Sequence, residues 1–291
     1  MHNIPEIDWG RVDTLIELAL AEDLGGAGDV TTLAVVPGSA KCRAILLCKE
    51  PDMVLCGLPV AERVFRAVDP GLSFAARRRE GDLCQRGVVL AEISGSARGV
   101  LTAERTALNF IQRLSGVATA AHRYAAAVAG TKTRILDTRK TTPGYRNLEK
   151  YAVAVGGADN HRVGLYDRVM IKDNHRELAG LEGPGGILRS VERARKQYPG
   201  FEVEVEIDSL DELPDALESG AEYILLDKMT NEQMAEAVRI TARRAKLEAS
   251  GNVTEARVAS IAETGVDFIS SGALTHSVKA ADISMDIVFD R

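Results

Sequence analysis

Arg139 and Lys140 stand side by side in "ILDTRKTTPGYR", residues 135–146, directly after an apolar pair that reads as the end of a buried strand. Paired cations in a chain with more acids than bases point to an anionic ligand. The pattern recurs further on. Lys172 and Asp173 follow "VMI", Glu206 and Asp208 close "FEVEVEID", Asp227 and Lys228 follow "YILL", and Glu248, Ser250 and Gly251 end "KLEASG". Arginine and lysine suit carboxylates and phosphates, arginine through its two-pronged contact with a carboxylate. Two carboxylates from adjacent strand ends, with a substrate polyphosphate and water, would make an oxygen-rich Mg²⁺ site. "SGNVT" and "SSGALTHS" place Gly beside hydroxyl residues ahead of helical patterns, where backbone N–H groups can meet a phosphate.

The charge distribution sharpens this reading. The chain carries 36 Lys and Arg against 42 Asp and Glu, a net −6, which argues against nucleic acid as the main partner. Between Lys132 and Arg176 the balance reverses, with ten Lys and Arg against five Asp and Glu. A cationic island in an acidic chain suits a small anionic ligand, whereas a solvated helix face would interleave its signs. His161 and Arg162, in the loop before "RVMIKD", belong to the island. Two alternatives stand beside the functional one: Lys172 could be half-buried and paired with Asp173, and Glu202, Glu204 and Glu206 could form a solvated strand face. In a parallel sheet covered by helices neither face is freely wet, so three acids in a row there need cations or metal as partners.

Positioning such groups on one face requires parallel strands. After residue 130, short apolar strands at "RILD", "RVMIKD", "FEVEVEID", "YILLD", "KLEAS" and "FISSG" alternate with amphipathic helices, among them "NLEKYAVAV". The last three strand-to-strand steps are about 22 residues, the length of a βα unit. The alternation predicts an incomplete barrel or an open doubly wound sheet, with every strand's C-terminal end on a shared mouth. Ahead of it, a helix over about residues 9–22 capped by Asp8 and three strands with a helix near 58–68 give an α+β region. A long helix from Thr102 to about 129, with a possible break at Gly116, marks the domain boundary. "ADISMDIVFD" reads as a strand returning to the N-terminal sheet.

At 291 residues with 45% hydrophobic content, the chain has enough apolar material for a large core. No apolar run is long enough for a membrane span, and the N-terminal residues do not read as a signal peptide, so a cytoplasmic location is expected. The four cysteines, at 42, 48, 56 and 84, form no CxxC pair and read as buried thiols. Neither GxGxxG nor GxxxxGK[ST] follows a strand, so dinucleotide and P-loop sites are excluded.

Together, "TAERTALNF", "ILDTRKTTPGYR", "GGADNHRVGLYDRVMIKDNH", "EVEVE", "YILLD", "EASGN" and "SGALTHS" resemble the quinolinate phosphoribosyltransferase family over nearly the whole chain. The resemblance implies an N-terminal α/β sandwich domain, residues 1–115 completed by 275–291, and an open six-stranded α/β barrel, residues 116–274, in a homodimer. It implies reaction of quinolinate with phosphoribosyl pyrophosphate, assisted by Mg²⁺, to give nicotinate mononucleotide, pyrophosphate and CO₂ in NAD biosynthesis. Carried over motif by motif, Arg105 (from the partner subunit), Arg139, His161, Arg162 and Lys172 would surround quinolinate. Lys140, Glu206, Asp227, Ser250, Gly251, Gly272 and His276 would meet phosphoribosyl pyrophosphate, with Glu206 and Asp227 also at the metal. Lys140, Lys172, Glu206 and Asp227 would be the catalytic set. Lys228 and Asn252 depart from the pattern, which usually has Asn and a second Gly there. Two other readings remain open: a Schiff-base lyase using Lys172 or Lys140, and a non-catalytic or transport-associated paralogue of the same fold.

Overall fold

A computed structural model describes residues 4–289 of the chain. Asp8 caps the first helix, α1 (Trp9–Leu24), by accepting from the Arg11 N–H, and Gly25 with φ of 50° ends it. After α2 (Val30–Val35) come β1 (Lys41–Cys48), β2 (Met53–Val54), α3 (Leu58–Val68), β3 (Ser73–Ala76), β4 (Leu83–Cys84) and β5 (Val89–Ser96). β1 alternates, with Ala44, Leu46 and Cys48 buried, as a strand with one covered face requires. All four cysteines are free, and Cys48, Cys56 and Cys84 are buried.

The long helix, α4 (Ala97–Ala127), corrects two sequence expectations. It begins one turn before Thr102, whose hydroxyl donates instead to the Asp29 carboxylate at 3.1 Å. Gly116 does not break it: a Cβ there would lie 2.4 Å from the Lys279 carbonyl oxygen, so the missing side chain makes room for passing backbone. Beside it, the Ala281 N–H donates to Gln112 O and the Gln112 side chain donates to Ile283 O.

The chain divides into two compact units. The first holds the residues to His122, Thr142–Gly157 and those from Ser277; the second holds Arg123–Thr141 and Ala158–His276. Helix α5 (Arg146–Val155), which the alternation assigned to the barrel, therefore belongs to the first unit. Local packing shows why. A Cβ at Gly156 would stand 2.3 Å from Ala118 O, buried Glu149 pairs with Arg113 of α4 at 2.6 Å, and Tyr151 donates to Glu80 at 3.0 Å. Glu80 in turn accepts the Gly57 and Leu58 N–H groups that open α3.

The second unit contains β6 (Arg134–Leu136), β7 (Val169–Ile171), β8 (Val203–Ile207), β9 (Tyr223–Asp227), β10 (Lys246–Ser250) and β11 (Phe268–Ser270). They form one parallel sheet in the order β6-β11-β10-β9-β8-β7, and among the described residues no strand ladder joins β6 to β7, so it stays open. From β7 onward helices fill the crossovers, α6 (Asp173–Leu178), α7 (Gly186–Gln197), α8 (Leu213–Glu218), α9 (Asn231–Thr241) and α10 (Glu255–Ala262), and the short α11 (Ala273–His276) follows β11. Val203, Val205 and Ile207 alternate with the glutamates of β8 and are fully buried.

The last strand, β12 (Ile283–Val288), pairs antiparallel with β1, Arg43 opposite Val288 through Cys48 opposite Ile283. The first unit's main sheet is therefore β12-β1-β5-β3. The sequence ran this strand on to Asp290, which lies outside the described residues.

Candidate active site

The C-terminal ends of the parallel strands surround a cavity of about 470 Å³, built wholly from the second unit. Its lining includes the cations Arg139, Lys140, Arg162 and Lys172, the carboxylates Glu206 and Asp227, and Ser250 and Gly251. His161 and Glu248 also line it. Two expected residues lie off this lining: Gly272, and exposed His276. They are close by, since a Cβ on Gly272 would meet Lys140 Cδ and His276 Cδ2 at 2.8 Å each. Arg105 is exposed on α4 in the first unit and is not part of the cavity.

The cations are held by backbone. Beyond β6 the Thr141 N–H turns back to Arg139 O at 2.9 Å, and Lys140 O accepts from Thr275 Oγ1 at 2.7 Å. Arg162 donates through Nη1 to Arg168 O at 3.0 Å. Burial and then the neighbouring charge of Arg139 pull the Arg162 pKa down. Two guanidinium groups in mutual repulsion form a site that an anion with more than one carboxylate would relieve.

Lys172 does not pair with Asp173, as one sequence alternative had it. Asp173 starts α6, and the Lys172 ammonium reaches across to Glu206 on the neighbouring strand. Asp227 is likewise met by Lys228, whose pKa rises through that hydrogen bond. Glu206, Asp208 and Asp227 can each offer a carboxylate oxygen within 4.8 Å of one another. Three hard oxygen donors fit Mg²⁺, and the two lysines would share or yield them when it binds. Asp208 appears in the sequence reading only as a strand end; its place in this cluster follows from the chain turning immediately after β8.

Both departures from the family pattern sit in left-handed backbone: Lys228 has φ of 54° and Asn252 φ of 52°. Asparagine tolerates that conformation better than other non-glycine residues, so Asn252 fits where Gly is usual, whereas Lys228 carries strain. Between them Gly251, φ 87°, cannot change: its Cβ would lie 2.7 Å from Lys228 Cγ and 3.0 Å from Asp227 Oδ1.

At the floor, Glu204 has the cationic partners expected of it, His161 and Arg168, but the sequence does not show which residues converge there. Asp137, fully buried, accepts the His161 N–H and the Asn160 side-chain amide, both at 2.8 Å. Glu204 and Glu248, 0% and 1% exposed, both approach His161 Nε2, at 3.2 and 3.3 Å. Burial depresses the imidazole's proton affinity, but the two carboxylates outweigh it and raise its pKa to about 9. Burial alone would raise both carboxyls; His161 holds Glu204 below its usual value, while Glu248 stays raised by burial and by Glu204. Arg168 Nη1 stands 3.6 Å from Glu204.

Comparison with known proteins agrees with this geometry. The family described as "Quinolinate phosphoribosyl transferase, C-terminal domain" matches residues 117–286, and the corresponding N-terminal domain family matches residues 29–115. The chain is 44% identical to a protein from Oryza sativa subsp. japonica named "Nicotinate-nucleotide pyrophosphorylase [carboxylating], chloroplastic", over 94% of this chain and 76% of that one. It is 42% identical to a probable nicotinate-nucleotide pyrophosphorylase [carboxylating] from Synechocystis, over 96% and 94%. Among solved structures, the nicotinate-nucleotide pyrophosphorylase from Francisella tularensis superposes with a TM-score of 0.91 at 37% identity, covering 98% of this chain and 99% of that one.

Proposed function

The chain belongs to the quinolinate phosphoribosyltransferase family, and we propose that it transfers the phosphoribosyl group of phosphoribosyl pyrophosphate to quinolinate, with loss of CO₂. The products are nicotinate mononucleotide and pyrophosphate, a step of de novo NAD synthesis. The observation that carries this reading is one cavity lined both by the arginine pair Arg139 and Arg162 and by the carboxylates Glu206 and Asp227.

In this reading Arg139, Arg162 and Lys172 hold the two carboxylates of quinolinate, and Arg105 joins them from the partner subunit of a homodimer. Lys140 meets the phosphoribosyl pyrophosphate, and the backbone at Ser250, Gly251 and Gly272, with His276, holds phosphate. The pyridine nitrogen bonds to ribose C1 as the C1–oxygen bond breaks, its electron pair leaving with pyrophosphate. Positive charge on the sugar ring is stabilised by Glu206 and Asp227. Mg²⁺, held by Glu206, Asp227 and also Asp208, would supply charge neutralisation for the leaving group. The electron pair of the breaking carbon–carboxylate bond then stays on the ring carbon, stabilised by the adjacent positive pyridinium nitrogen, and takes up a solvent proton in place of CO₂. No protein nucleophile is needed. Lys172 lies against Glu206 rather than in an apolar pocket, which favours this reading over a Schiff-base lyase.

Four free cysteines suit a reducing compartment, and we place the enzyme in the cytoplasm; no helix among the described residues is long and apolar enough to cross a membrane. Incubation with quinolinate, phosphoribosyl pyrophosphate and Mg²⁺ should release CO₂ and nicotinate mononucleotide in equal amounts. Nicotinate, with one carboxylate fewer, should be a much poorer substrate. Binding of both substrates without product would instead identify a non-catalytic paralogue.

A further inference from the structure

His161, Glu204 and Glu248 lie together at the bottom of the cavity, and the chemistry above gives none of them a reacting atom to touch. The imidazole is the centre of the group. Its Nδ1 accepts the Arg162 backbone N–H at 2.7 Å. A ring nitrogen that accepts a hydrogen bond carries no proton, so the proton of the neutral ring sits on Nε2. That nitrogen faces Glu204 at 3.2 Å and Glu248 at 3.3 Å. Nδ1 is thereby taken by backbone, and Nε2 is buried within ion-pair distance of the two carboxylates, sealed from a ligand.

The same short segment is gripped from its other side. Asp137, at the end of β6, takes the His161 N–H on one oxygen and the Asn160 amide on the other. Three carboxylates from β8, β10 and the end of β6 therefore fix residues 160–162. The next side chain along, Arg162, lines the cavity. Its backbone is tied to the imidazole, and its guanidinium to Arg168 O. A rotation of the ring would move the Arg162 N–H and, with it, the side chain facing the ligand.

We propose that His161 is a positioning residue and not a quinolinate ligand, and that Glu204 and Glu248, by fixing its ring, set where Arg162 meets the substrate carboxylate. The identity of that substrate rests on the function proposed above; the ring's orientation does not. Carboxylates that orient a metal-ligating histidine cost about 10–100-fold in affinity or activity when changed, and a loss of that order is expected for this orienting pair.

The test has two independent parts. The first uses wild-type protein with ¹⁵N-labelled histidine, reading the two ring nitrogens of His161 by NMR, assigned with His161→Gln. With the ring neutral, at pH above its raised pKa of about 9, an Nε2–H tautomer is expected; an Nδ1–H tautomer would overturn the proposal, whatever the substrate is. The second part measures quinolinate binding by calorimetry in Glu204→Gln and Glu248→Gln. Each should bind at least about tenfold more weakly, with the KM for phosphoribosyl pyrophosphate little changed. His161→Gln, whose amide can still donate to the two carboxylates, should keep more quinolinate affinity than His161→Ala. Equal loss in those two, with normal binding in both glutamate variants, would make His161 a direct ligand and overturn the proposal. Should wild-type protein bind no quinolinate, the functional reading fails, and the tautomer alone decides the positioning role.

Discussion

Glu204 and Glu206 point to the same side of β8, two residues apart, and differ in almost everything else. Glu204 is sealed, with His161 and Arg168 beside it. Glu206 is half-buried at the mouth, with Lys172 across from it and Asp208 and Asp227 close by. Two residues along a strand are about 6–7 Å, roughly the length of a side chain. β10 repeats the contrast: both residues line the cavity, but Glu248 is buried and Ser250, two residues later, is half-buried. The difference teaches that depth along a parallel strand, more than residue type, separates carboxylates that hold the scaffold from carboxylates that meet ligands.

The largest effects should come from the mouth. Glu206→Ala and Asp227→Ala should each lower kcat roughly 100- to 1,000-fold while calorimetry shows near-normal quinolinate binding. Glu204→Gln should do the reverse, weakening quinolinate more than kcat. Identical kinetic signatures at positions 204 and 206 would break the comparison.

Arg105 sharpens it from outside the cavity. Arg105→Ala should cost roughly 2–5 kcal/mol of quinolinate binding if the partner subunit supplies it. Mixing inactive Arg105→Ala chains with inactive Lys172→Ala chains should then restore activity, towards about a quarter of wild type for random pairing in a two-fold dimer. A dead mixture, with heterodimers verified by mass spectrometry, would remove Arg105 from the shared site.

At the floor, Asp137→Ala leaves two buried donors without their acceptor and should lower unfolding stability by about 2 kcal/mol in urea titrations. An unchanged midpoint would mean that residues 160–162 are held by the imidazole alone. The smallest effect belongs to Lys228. Its left-handed φ suits asparagine better, so Lys228→Asn should raise Tm by about 2 °C in calorimetric scans. A fall in Tm would show that the pair with Asp227 outweighs the strain.

Much of this is legible in the amino-acid sequence. Each barrel strand announces itself as an apolar run ending in charge, so Arg139, Lys172, Glu206 and Asp227 could be placed at one mouth from the sequence. The family resemblance supplied their chemistry. What was not legible depends on contacts between distant segments. "NLEKYAVAV" has the pattern of any crossover helix, and only Gly156 against Ala118 and Glu149 against Arg113 assign it to the first unit. Gly116 looks like a helix break, because a sequence cannot show that the backbone near Lys279 passes there. The floor escaped for a related reason. That Glu204 and Glu248 converge on one imidazole depends on the register of three strands, Glu204 opposite Tyr223 and Glu248 opposite Leu225, which no local pattern encodes.

The position of β12 also bears on how the protein is made. Without it β1 is an edge strand, its unpaired N–H and C=O groups open to any other extended chain. β1 leaves the ribosome early, and its neighbour only after the entire parallel sheet has been translated. The usual vectorial order, in which the N-terminal domain finishes first, is thus inverted for this chain. A truncated product would carry the complete strand set β6–β11 beside an incomplete first sheet with an open edge. Chaperones and proteases that recognise exposed strands would have a direct way to tell it from the finished molecule.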